Sequence, residues 1–206
     1  WLNAKTTLSY PLEFEKNLRQ IRLSGEAFFE VAGNPSAPFI VSTDNLSIEV
    51  TGTEFIASSY SHENLCEIIL ISGQVNLFKG NFFDEKEPLT SLKPGERFCF
   101  DLKEHTMNID RVEPEKYTAW KEGILMFRED SMDEVVRRLN RWFNVDIQLS
   151  DPELHDYVYT ATFEDESLIQ ILELLKISAP IDYKIKQRER KTDKTFSKME
   201  IIIKPK

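Results

Sequence analysis

Apolar and polar positions follow two different rhythms along this 206-residue chain. From Trp1 to about Asp110 the apolar runs are short and strand-like. Ile21-Arg22-Leu23, Ala27-Phe28-Phe29-Glu30-Val31, Phe39-Ile40-Val41 and Leu46-Ser47-Ile48-Glu49-Val50 come first. Phe55-Ile56-Ala57, Cys66 to Ile71, Val75-Asn76-Leu77-Phe78 and Phe98 to Leu102 follow. A period of two sends one set of side chains to a core and the other to water. No window in this half sustains a helical period. Glycine is scarce, yet Gly25, Gly52, Gly73 and Gly95 stand where strands should break. There glycine supplies a positive φ or removes a Cβ at a sharp bend. Their recurrence fits repeated hairpins or the corners of a roll. The pattern predicts an antiparallel β-sandwich or β-roll over residues 1–112.

A connector follows, with Pro114 among charged residues, and Tyr117 and Trp120 placed to pin it to one domain. Beyond it the rhythm changes. Ile124 to Phe127 reads as a strand, and Ser131 with Glu134 forms a helix-capping pair. Met132, Val135, Val136, Leu139, Trp142 and Phe143 then mark one helical face, with Arg137, Arg138, Asn140 and Arg141 on the other. Asn144 reads as the stop, and Val145 to Leu149 alternates as a strand. The unit repeats: a strand from Tyr157 to Phe163, a cap at Asp165 or Ser167, and a stripe of Leu168, Ile171, Leu172 and Leu175. Ile181 to Ile185 and Met199 to Ile203 complete a hairpin. The order β-α-β-β-α-β-β predicts a small α+β domain over residues 113–206, its helices packed on one face of a sheet. The whole chain is thus mostly β, in two domains.

Composition narrows the function classes. The formal charge of -9 argues against nucleic acid as a partner, because a polyphosphate needs a basic footprint. Charge is uneven, however: Lys184 to Lys206 holds 9 basic against 3 acidic residues. That stretch is either a solvated turn or a patch that steers an acidic partner. No run reaches the length of a membrane-spanning helix, and no signal peptide is present. The start at Trp1 reads as that of an excised fragment, with any anchor upstream. Cys66 and Cys99 are too few for a disulfide scaffold, leaving free thiols or a single bridge. His62, His105 and His155 are isolated, without metal-ligand spacing. There is no nucleophile elbow, phosphate loop or dinucleotide fingerprint, so neither an enzyme nor a cofactor is expected.

Several ordered motifs resemble the FecR family. They are Leu2-Asn3-Ala4-Lys5-Thr6, Leu8-Ser9-Tyr10-Pro11, Arg19, Leu23-Ser24-Gly25-Glu26-Ala27-Phe28-Phe29-Glu30-Val31 and Pro38-Phe39-Ile40-Val41. Gly52-Thr53-Glu54-Phe55, Ser72-Gly73-Gln74-Val75 and Leu92-Lys93-Pro94-Gly95-Glu96 follow in the same order. Ala119-Trp120-Lys121, Leu139-Asn140-Arg141-Trp142-Phe143 and the helix from Ile169 to Leu175 are similar to the domain that often follows FecR domains. The resemblance implies the periplasmic part of a transmembrane anti-sigma regulator, anchored in the inner membrane by an upstream helix. It implies two partners: the signalling domain of a TonB-dependent outer-membrane receptor, and an extracytoplasmic-function sigma factor held by a segment preceding Trp1. The second domain is similar in topology to the small signalling domains of secretins and receptors.

For contact with the receptor, the expected surface is the terminal strand used as an open edge, with its basic turn. Its residues are Lys184, Lys186, Arg188, Arg190, Ile201 and Ile203. A different class remains open, a glycan- or envelope-binding module in which Tyr60, Phe82 and Phe83 stack on sugars.

Overall fold

Strand β2 (Arg19–Val31) organises the first unit because it changes partners halfway along. In the computed structural model, which describes residues 1–80, 87–186 and 196–206, its first part pairs in parallel with β3 (Phe39–Ser42). Its second part pairs antiparallel with β5 (Thr53–Ser59). From β3 the sheet runs through β4 (Leu46–Val50) and β7 (Val75–Lys79) to β8 (Glu87–Leu92). From β5 it runs through β6 (Leu65–Ser72) and β9 (Glu96–Asp101) to β10 (Thr106–Arg111). Short β1 (Thr7–Ser9) lies against β2. One ten-stranded sheet therefore curls into two facing layers that share β2. The chain is mostly β, as the alternation predicts, and the parallel β2–β3 pair is the exception to an antiparallel sheet.

The glycines sit where the chain crosses between layers. Gly52 lies between β4 and β5, Gly73 between β6 and β7, and Gly95 between β8 and β9. Gly25 lies inside β2 at its change of partner, with φ +121° and the Thr6 backbone only 2.6 Å from where a Cβ would stand. Only glycine accepts both that φ and that approach. Between the layers, Leu23, Ile48, Phe55, Ile68, Leu70, Leu77 and Phe98 form a core from which water is excluded.

Three strands are apolar on both faces. Phe28, Ile56 and Ile69 point away from that core and form a second cluster with Val112, Tyr117 and Trp120. The covering residues belong to the connector, which forms α1 (Pro114–Thr118) and a 3-10 turn, Ala119–Glu122. The connector is thus part of the first unit, Trp1–Lys121, and the second unit is Glu122–Lys206. Packing of Tyr117 and Trp120 against Phe28, Ile56 and Ile69 holds the connector on the sheet of the first unit.

In the second unit the elements are β11 (Leu125–Ser131), α2 (Met132–Phe143), β12 (Asp146–Leu149), β13 (Val158–Phe163), α3 (Leu168–Ser178), β14 (Ile181–Ile185) and β15 (Glu200–Pro205). Ser131 caps α2 by accepting from the Glu134 N–H, and Asn144 ends it in the left-handed conformation at φ 52°. Ser167, rather than Asp165, caps α3 in a reciprocal box with Gln170. The predicted order of elements stands, but the strands form two sheets instead of one. β11 pairs antiparallel with β13, and β12-β15-β14 form a mixed sheet in which β12 and β15 are parallel. Met132, Val135 and Leu139 of α2, with Ile171, Leu172 and Leu175 of α3, pack with both sheets into one core.

Candidate interaction surfaces

The chemistry-bearing side chains are dispersed. Among the described residues, no three His, Cys, Asp or Glu side chains gather to hold a metal ion. His155 Nδ1 lies 2.7 Å from Asp133 Oδ2 in an exposed pair joining a 3-10 turn (Pro152–Asp156) to the start of α2. His62 stands edge-on to Tyr60, and His105 occupies a left-handed turn position at φ 54°. Both cysteines are free. Across β6 and β9, Cys66 faces Phe100 while Glu67 faces Cys99. One residue of offset puts the two sulfurs on opposite faces of the sheet, which precludes a bridge. Burial pushes both thiols up to about 12, and for Cys99 the Glu67 carboxylate adds to the effect.

The strand expected to offer an open edge does not have one. β15 lies between β12 and β14, paired on both sides, and Ile201 and Ile203 are fully buried. Parallel pairing to β12 gives the terminal isoleucines their cover. Lys184 is exposed on β14, and Lys186 Nζ bonds Glu200 at 2.8 Å. Arg188 and Arg190 lie outside the described residues. Tyr60 is buried and donates its hydroxyl to the Ala4 carbonyl at 2.9 Å, so it offers no ring for sugar stacking. Phe82 and Phe83 also lie outside the described residues.

The polar face of α2 closes strand edges instead of facing water. Arg138 is 9% exposed; its Nη1 donates to the Met126 carbonyl of β11 at 2.7 Å, and its guanidinium lies over Phe127. Asn140 meets β12, accepting from the Ile147 N–H at 2.7 Å and donating to the Ile147 carbonyl at 3.2 Å. On β14, the Tyr183 N–H donates to Asp182 Oδ1 at 3.0 Å, while Lys176 holds that carboxylate at 2.9 Å. Such side chains deny an edge to an incoming strand. Helical spacing marks these residues only as polar, so their roles are invisible before the sheets are known.

In the first unit, Arg97 latches the connector to the sheet. Its Nε and Nη2 grip Asp110 at 3.0 and 2.7 Å, and its Nη1 donates to Glu67 at 3.2 Å and to the Tyr117 hydroxyl at 3.0 Å. Nearby, Phe28 underlies both Trp1, whose ring centroid is 5.3 Å away, and Lys121, whose Nζ is 3.6 Å from the ring centre. A separate cavity of about 690 Å³ lies under the loop before β2, lined by Tyr10, Phe14, Leu18, Gln20, Arg22 and Thr43. Tyr10 and Leu12 of that loop are exposed apolar side chains.

Comparison with known proteins decides the family. Residues 1–76 match the family described as FecR protein, and residues 124–191 match the one described as FecR, C-terminal. The chain belongs to the FecR family. Two crystal structures of a candidate anti-sigma factor from Parabacteroides distasonis ATCC 8503, at 1.65 and 2.50 Å, share this fold. The first aligns at a TM-score of 0.80 with 26% identity, over 98% of this chain and 87% of that one. The second aligns at 0.78 with 26% identity, over 100% and 88%. No curated protein matches.

In this FecR protein the residues that carry the family resemblance build corners and staples. Thr6 Oγ1 both accepts from the Glu26 N–H and donates to its carbonyl, and Asn3 bonds the Glu26 carboxylate, so the first segment is laced across the β2 bend. Arg19 donates to the carbonyls of Ala37 and Ala32, holding the crossover that makes β3 parallel to β2. Thr53 Oγ1 donates to the Gln74 carbonyl, tying the Gly52 corner to the Gly73 corner. No helix among the described residues is long and apolar enough to cross a membrane.

Proposed function

We propose that this chain is the periplasmic, signal-receiving region of a transmembrane anti-sigma regulator. It relays substrate occupancy of a TonB-dependent outer-membrane receptor to an extracytoplasmic-function sigma factor through protein–protein contacts. The observation that carries the reading is the ordered pair of FecR matches, together with the end-to-end likeness to a candidate anti-sigma factor. In the full-length protein, a helix preceding this region anchors it in the inner membrane, and a segment beyond that helix holds the sigma factor.

The first unit supplies a mechanical route for the signal. The connector is held by the Arg97 latch, and Lys121 and Trp1 share one anchor, Phe28. A load on the connector therefore reaches Trp1 both through the Phe28 ring and directly from Lys121, whose Nζ lies 4.7 Å from the centre of the Trp1 ring. The reading is tested with a reporter gene under the neighbouring sigma factor. The receptor's substrate should change reporter output in cells with the intact regulator and leave it unchanged once residues 1–206 are deleted. A response that survives that deletion overturns the proposal.

A further inference from the structure

The outer edge of β13 differs from the other strand edges of the second unit. The Met132 N–H donates to the Tyr157 carbonyl at 2.9 Å, which fixes the phase of the β11–β13 ladder. From there, alternation turns the backbone groups of Val158, Thr160 and Thr162 away from β11. Among the described residues, β11, β12 and β14 each carry a closing side chain, namely Arg138, Asn140 and Asp182. None is bonded to the outward backbone of β13. Beside that edge a cavity of about 490 Å³ opens, lined by Tyr157, Tyr159, Ser178, Ala179 and Pro180. Val158, at the start of the strand, is 62% exposed.

We infer that β13 is the edge at which this domain accepts a strand from a partner. The added strand extends the β11–β13 sheet by main-chain hydrogen bonds, and one of its inward side chains, an apolar one, enters the cavity. Charge selects the occupant. Asp156 lies at one end of β13, and Glu164, Asp165 and Glu166 lie at the other. A second copy of this chain, paired antiparallel through β13, would set Asp156 against the partner's acidic cluster, and like charges opposed across strands are destabilising. The occupant is therefore a strand of a different protein, with an apolar centre and basic residues at both ends. This deepens the relay reading, on which it rests only for naming the receptor's signalling domain as the strand's source.

The test uses two probes on the intact chain. The first is a peptide of alternating valine and threonine with two lysines at each end, followed by backbone amide NMR. It should perturb Val158, Thr160 and Thr162. The Val158→Pro variant, which removes one outward N–H at a position where Tyr157 is already extended at φ -72°, ψ 137°, should weaken binding at least five-fold. The exposed pair E164K/D165K should weaken it about ten-fold without touching the fold. Perturbation centred on β10 at Met107 and Ile109, affinity unchanged in both variants, or dimerisation through β13 overturns the assignment. The second probe is the receptor's signalling domain. A peptide response without binding of that domain overturns the relay source while supporting the edge.

Discussion

Asn140 and Ile147 satisfy each other across the outer edge of β12, side-chain amide to main-chain amide, at 2.7 and 3.2 Å. A residue on the polar side of a helix thereby completes a strand that, among the described residues, has no neighbouring strand on that side. Removing it leaves a main-chain donor and acceptor in part-buried surroundings without their partner. Asn140→Ala is expected to destabilise the second unit by about 1–3 kcal/mol. Denaturant unfolding measures the loss, and amide exchange should quicken most at Ile147. Unchanged exchange there would mean that the pair contributes nothing.

Ile201→Asp is expected to unfold the second unit. The side chain sits at 0% exposure on the central strand of a three-stranded sheet, and an unpaired carboxylate there costs several kcal/mol, about 4 or more. Circular dichroism and thermal unfolding decide it. A folded variant that has merely lost a binding partner would restore the terminal strand as an exposed surface.

Arg97→Ala removes one partner of Glu67, whose side chain is 7% exposed and also accepts from the Cys99 thiol, and one partner of Tyr117. The expected cost is about 3 kcal/mol. Beyond the stability change, residues 112–121 should exchange their amides faster while the sheet core stays protected. Protection that falls uniformly would show that the connector is not a separately latched element.

The two thiols should be nearly inert in the native protein. Raised to about 12 from an ordinary 9.0, they are thiolate in roughly one part in 10,000 at pH 8, against about a tenth in the unfolded chain. Alkylation should be about 1,000-fold slower before unfolding than after. The linkage has a definite sign. Because the unfolded thiols ionise first, stability is intact below pH 9 and declines as pH rises toward 12. Rapid native labelling of Cys66 would contradict its burial.

Gly25→Ala should cost about 1–3 kcal/mol, since it forces an L side chain to φ +121° and into the Thr6 backbone. Gly33→Ala, with no atom within 4 Å of the new carbon, is the control.

Much of the fold was legible because the first half keeps to a period of two and the second switches between strand and helical periods at recognisable caps. Alternation around Ile48 and Phe98, glycine at the layer crossings, and the Ser131 and Ser167 caps each marked a local event that tertiary structure left standing. The pairing of distant strands was not legible. Ile201-Ile202-Ile203 reads alike at an edge or at a centre, although three consecutive apolar residues are what a strand covered on both faces carries. The polar stripe Arg137, Arg138, Asn140 and Arg141 was visible, but a helical wheel cannot show that Met126 and Ile147 lie beneath it. Tyr60 was expected, in the glycan-binding alternative, to offer an exposed ring for sugar stacking; it is instead buried and held by a main-chain carbonyl 56 residues away. The interaction surface was hardest to read, since β13 is distinguished by what its neighbours leave unbonded.

The most direct measurement is a calorimetric titration of the purified chain with the isolated signalling domain of the TonB-dependent receptor encoded beside it. Saturable one-to-one binding near micromolar affinity, as small transient interfaces give, is the expected result. A folded chain that shows no heat of binding at a hundred-fold higher concentration would contradict its role as the signal-receiving partner.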